Sequence, residues 1–149
     1  MAEAAEVAIE TALLTEVAAF VSAQSPAVIR VAYPNVEFTP PTVGPTAKWL
    51  RASFLPADTL SPFMKHPGPN RHYGFMQVDV FWGVGGGDIA PARLAADIIQ
   101  WFKRGTSIRR EGFLVRVVRT PYRGPTIKDD PWSMIPVRIP YLCYASDPA

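Results

Sequence analysis

The sequence predicts an α+β fold: a single domain over residues 1–149, a mainly antiparallel β-sheet with two α-helices packed on one face. Three observations carry that expectation. A length of 149 residues, with 48% hydrophobic and 19% charged residues, suits one domain with one core. Sixteen prolines, roughly twice the usual share, permit few long helices and favour short strands joined by stiff connections. Helical periodicity occurs twice among extended segments whose short connections favour antiparallel pairing.

Residues 3–24 hold neither Pro nor Gly and are rich in alanine, which predicts a helix by propensity. Ile9, Leu13, Val17 and Phe20, flanked by Leu14 and Val21, form its apolar stripe, with Thr11, Thr15, Ala19 and Ser22 opposite. Glu6 and Glu10 fall on the stripe's edge, so the first turns are expected to leave the domain's own core. Ser25-Pro26 ends this N-terminal helix, assigned to 1–25. A Pro-punctuated extended segment follows over 27–48. Next comes a strand at Trp49–Leu55, with Leu50, Ala52 and Phe54 on one face. Pro56–Asn70 has little periodicity and reads as a long loop of the kind that is usually either functional or disordered.

The clearest strand is Tyr73–Trp82, where Met76, Val78, Val80 and Trp82 alternate with Gln77 and Asp79. A glycine turn over 83–88 leads, with Asp88 as N-cap, into a helix at Pro91–Arg104. Leu94, Ile98, Trp101 and Phe102 are its apolar face and Gly105 closes it. Strands at Phe113–Arg119 and Ile135–Tyr144 complete the sheet. In the last, Pro136 and Pro140 remove two donors from the same side, which predicts an edge or bulged strand.

The net charge of +2 is too small to imply a nucleic-acid partner, but it is unevenly spread. Residues 1–25 hold four acids and no base. Lys103, Arg104, Arg109, Arg110, Arg116, Arg119 and Arg123 face only Glu111 within 103–123. A solvated helix end and strand face explain much of that run. Arg109-Arg110, placed together in a short link, are the harder part and stand as a candidate site for phosphate or an acidic partner.

Chemical motifs are sparse. The glycine turn sits where a dinucleotide fingerprint would, but Asp88 occupies the third glycine position and would repel a pyrophosphate. Cys143, alternating with Ile139 and Tyr141, belongs to a buried strand face, and nothing in the sequence brings His66 or His72 to it. Those histidines lack further ligands at metal spacing. Asp129 and Asp130 point opposite ways on an extended chain and suit a solvated turn. Asp79 is expected to pair across the sheet with an arginine, Arg116 being the candidate. One cysteine precludes an internal disulfide. The acidic N-terminus and the lack of an apolar run near ~20 residues predict a soluble, cytosolic-type domain with neither leader nor membrane partner. No catalytic, cofactor or metal residue is assigned.

Several phrases in order resemble the tail-terminator-like proteins of long-tailed bacteriophages and related phage-derived particles. They are Ala32 to Pro40 (AYPNVEFTP), Trp49 to Phe54 (WLRASF), Gly74 to Val80 (GFMQVDV), Ala95 through Phe102 to Thr106, and Ile135-Pro136-Val137. The resemblance covers about residues 25–145. It implies a structural virion protein of the tail and head–tail neck, not an enzyme and without a cofactor, assembled in the host cytoplasm. It further implies a homohexameric ring that caps the tail tube, ends its polymerisation and joins a head-completion or connector protein, with genomic DNA passing through the lumen. On that reading, Phe63, Met64, Lys65, His66, Arg109 and Arg110 are the candidate partner-interface residues. Two other classes stay open. One is a nucleic-acid-binding module built on the basic 103–123 segment. The other is a small-molecule-binding enzyme built on the 83–88 glycine turn.

Overall fold

The computed structural model describes residues 4–24, 29–62, 64 and 68–146. In chain order they form α1 (Ala5–Ala23), β1 (Arg30–Ala32), β2 (Lys48–Pro56), β3 (Pro69–Gly83) and α2 (Ile89–Trp101). There follow β4 (Ser107–Arg110), β5 (Phe113–Val117), β6 (Tyr122–Arg123), β7 (Ile127–Asp129) and β8 (Trp132–Ser146). The strands make one sheet, ordered β1-β2-β3-β8-β5-β4, with β6 and β7 also paired to β8. Among the described residues only β1 on β2 is parallel. The α+β class is as expected.

The core lies between the two helices and one sheet face, where Leu50, Met76, Val78, Val80, Val115, Ile135, Val137 and Ile139 meet Leu13, Val17, Phe20, Leu94 and Ile98. At this layer Phe20 packs edge-on against Trp101, whose Nε1–H donates to Glu16 at 2.9 Å. The expectation that α1 begins outside the core is corrected: Ala8 and Ile9 are fully buried. Alanine at 8 and 12 presents little bulk, so the helix lies close to the sheet from its first turns. Glu6 stays exposed and Glu10 half-buried at the rim. Ser25-Pro26, the expected stop, lies outside the described residues.

Three further boundaries move. The helix α2 ends at Trp101, and Gly105 (φ +92°) serves the following turn, donating its N–H to Val117. Arg109 and Arg110 are not in a link but in β4, registered against Leu114 and Phe113. The last strand is not an edge: β8 pairs with β3 over its whole length. The prolines act on its other side, where the partner is broken into β7, β6 and β5. There Pro136 and Pro140 only accept, from the N–H groups of Gly124 and Val118. The missing donors thus divide a ladder instead of ending the sheet.

The expected loop Pro56–Asn70 is shortened at both ends, since Pro56 belongs to β2 and Pro69 and Asn70 to β3. From it Leu60 exchanges two backbone hydrogen bonds with Arg71 of β3, at 2.7 and 3.1 Å.

Candidate interaction surfaces

The face of the sheet away from the helices is divided in two. One half carries Trp49, Phe81 and Trp132, with Phe38 from the segment over 33–47 packed on them. Trp49 stacks on Phe81 at 4.0 Å between ring centres, Trp132 meets it edge-on at 6.1 Å, and Phe38 lies 5.1 Å away. Trp82 Nε1–H donates to the Pro45 carbonyl and Gly83 N–H to that of Ala47, each at 3.0 Å, which fastens the segment down. Next to this cluster Asp79 is buried. Its partner is Arg51, directly opposite in register, and not Arg116. Arg116 lies two strands away on β5, and strand order, which the local pattern does not encode, made the choice.

Over the other half, on β3, β8 and β5, no segment among the described residues is laid. Tyr73, Phe75, Leu114, Val118, Leu142 and Tyr144 lie along it, with Val118 and Tyr144 exposed. Two shallow grooves, of about 280 and 370 Å³, adjoin at Val118 and Leu142. Arginines edge the surface. Arg138 lies 5.1 Å over Phe75 and Arg71 5.3 Å over Tyr73. The Nε of Arg71 is buried without an acceptor. Arg116 is exposed on the same face, and the β4–β5 register brings Arg109 to that face too, opposite Leu114. Alternation sends half-buried Arg110 to the other side. The basic run is therefore distributed over β4, β5 and the end of α2, not gathered into one strip.

The glycine turn is filled by the chain itself. At Gly83 a Cβ would strike the Gly44 carbonyl, and at Gly86 it would lie 2.6 Å from the Pro45 carbonyl. Close backbone approach, and not a phosphate, accounts for glycine at those two positions. Asp88 stands at the N-cap position of α2 but makes no capping bond; its Oδ1 accepts from Thr126 at 3.0 Å. Asp129 ends β7 and Asp130 lies in the tight turn to β8, both exposed.

Cys143 is buried on the core face, and burial raises its thiol pKa, the reverse of what a nucleophile needs. No local pattern leads from it to a histidine, yet the β3–β8 register sets His72 opposite. His72 borders a cleft of about 250 Å³ between α1 and the sheet, lined also by Glu6, Glu10, Thr59, Tyr73 and Tyr141. Thr59 Oγ1 lies 3.4 Å from His72 Nδ1. Burial first, then Cys143 and Glu10, push the Tyr141 phenol up to about 12. Sequence reasoning missed this cleft, although Glu6 and Glu10 at i, i+4 are its visible half. Of the loop residues, Met64 is fully exposed, and Phe63, Lys65 and His66 lie outside the described residues.

A family model described as phage tail terminator protein matches residues 8–141, from the second turn of α1 into β8. The chain belongs to the phage tail terminator family. A solved structure 25% identical in sequence superposes with a TM-score of 0.77, covering 99% of this chain and 100% of that one; that protein carries no functional name. No curated protein matches the chain. As a tail terminator protein it has a structural role in tail assembly as a component of the virion tail, among other tail and head proteins. The family is one of structural proteins and not of enzymes.

Proposed function

We propose that this tail terminator protein assembles as a closed homohexameric ring on the end of the tail tube. There it stops polymerisation and offers the head-completion or connector protein its docking surface, while genomic DNA passes through the lumen. The observation that carries this reading is the family match, which takes in α1, the sheet and α2 together. A ring of identical copies joined head to tail needs two different complementary surfaces on each copy. The acidic α1 and the arginine-edged sheet face supply two such surfaces. Helix α1 and the open edges at β1 and β4 are assigned to contacts within the ring.

The connection between β2 and β3 is assigned to the tail tube or the head-completion ring. Met64 and Phe63 are its apolar anchors, with Lys65 and His66 beside them. Its prolines lower the entropy lost on docking. Arg109 and Arg110 on β4 are assigned to an acidic patch of an adjoining ring. Strong phosphate attraction along a DNA channel would retard a genome that must pass. Assembly takes place in the host cytoplasm.

Native mass measurement of the purified chain, together with the copy number in isolated tails, tests the ring. Six copies per tail end are expected, whether or not the free chain is already assembled. A dimer in isolated tails removes the ring.

A further inference from the structure

We infer that the uncovered half of the second sheet face, over β3, β8 and β5, is the seat for helix α1 of the neighbouring copy. The inference rests on the ring reading above and names the two surfaces that meet.

The seat is apolar where a solvated face of an antiparallel sheet is ordinarily polar. Val118 is 39% and Tyr144 56% exposed, and the two adjoining grooves run between them along Leu142. The chain covers the other half of the same face with its own 33–47 segment, and no described segment covers this half.

Its charges are unmatched. The side chains of Arg116 and Arg119, which line the grooves, make no hydrogen bond or ion pair with another described residue. Arg71 keeps a buried Nε without an acceptor. A carboxylate is the group this surface lacks.

Helix α1 brings carboxylates on an otherwise uncharged surface. The carboxylates of Glu6 and Glu10, at the mouth of the cleft beside His72, make no hydrogen bond or ion pair with another described residue, whereas Glu16 accepts from Trp101. Beside them stand Val7, 55% exposed, and half-buried Leu14, an apolar patch to lay against Val118 and Leu142.

The geometry makes the contact heterologous. Helix α1 lies on the core face of its own sheet and the seat lies on the opposite face, so one copy's helix reaches only the next copy's seat. Repeated, this joins copies head to tail, the arrangement that closes into rings. A nucleic acid is the weaker occupant, because phosphates gain nothing from a wall of valine, leucine and tyrosine.

Two pairs of full-length variants test this, Glu6→Arg with Glu10→Arg, and Arg116→Glu with Arg119→Glu. All four residues lie at the surface or the rim, which spares the core. Each variant alone should associate at least about tenfold more weakly than the parent chain, through like-charge contact. An equimolar mixture should recover assembly, since alternating copies restore every contact.

A second measurement places the surfaces directly. The chain carrying both Val7→Cys and Val118→Cys should give a ladder of disulfide-linked copies under oxidation, at high protein concentration and in isolated tails. Buried Cys143 does not compete. Rings or tail-bound copies without that ladder overturn this inference and leave the ring standing. So does assembly that ignores both charge reversals. A chain found as a single copy per tail end, with no ladder, removes the ring reading itself. Intact rings that lose only duplex DNA binding in the Arg116→Glu, Arg119→Glu chain also overturn it and give the face to nucleic acid.

Discussion

Asp79 and Arg51 show how burial makes two partners of one ion pair unequal. The Asp79 carboxylate is 1% exposed and accepts from Arg51 at 2.9 and 3.0 Å and from Gln77 Nε2 at 2.8 Å. The Arg51 side chain is 46% exposed, so water already solvates part of it. Removing the arginine strands a buried carboxylate; neutralising the aspartate leaves an arginine that can turn to solvent. Arg51→Met is therefore expected to cost about 2–4 kcal/mol and Asp79→Asn about 1–2 kcal/mol, read from urea unfolding. Equal losses would mean that the half-exposed arginine is as dependent on the pair as the buried acid. The sequence made Asp79 half of a cross-sheet pair, because an acid in mid-strand needs a cation. It did not name the right arginine, since that depends on which strand lies alongside.

At the scale of elements, the stretch between β1 and β2 is held by the β3 end through glycine. Gly83 has no room for a Cβ against the Gly44 carbonyl, while at Gly44 itself nothing lies within 4 Å of one. Gly83→Ala should therefore cost about 1–3 kcal/mol as an overpacked contact. It should also lift the 33–47 segment off Trp49, Phe81 and Trp132, shifting tryptophan emission to the red. Gly44→Ala, a few ångströms away, should change stability by less than about 0.5 kcal/mol. Similar effects from both would show that the segment is not held by this contact. The strands Trp49–Leu55 and Tyr73–Trp82 were legible from alternation, and both proved longer than their apolar cores. The prolines of β8, weighed alone, predict an edge or bulged strand, but they constrain one side only, and the other side pairs throughout with β3.

For the whole molecule, charge is organised by face. Glu6, Glu10 and Glu16 stand on α1, and Arg71, Arg109, Arg116 and Arg138 on the far side of the sheet. Arg109 shares that far side and Arg110 does not, although they are neighbours in sequence. Reversing exposed Arg109 to Glu should leave the melting temperature nearly unchanged, since single surface pairs are worth about 0–1 kcal/mol. Repeated around a ring, the same change should lower the yield of joined particles at low salt and less so at high salt. Equal joining by variant and parent chain across a salt series would return Arg109 to solvent.

The sequence by itself determined the α+β class, the two helices, the principal strands, the buried place of Cys143 and the resemblance that the family match bears out. Each of these is written in local periodicity, propensity or an ordered set of short phrases. Only the tertiary structure decided the central position of β8, the Arg51–Asp79 pair, the self-filled glycine turn, the cleft beside His72 and the bare half of the sheet. These depend on which strands are neighbours and on which surface the chain folds back to cover. Periodicity tells a residue which way to face; it does not say what stands opposite.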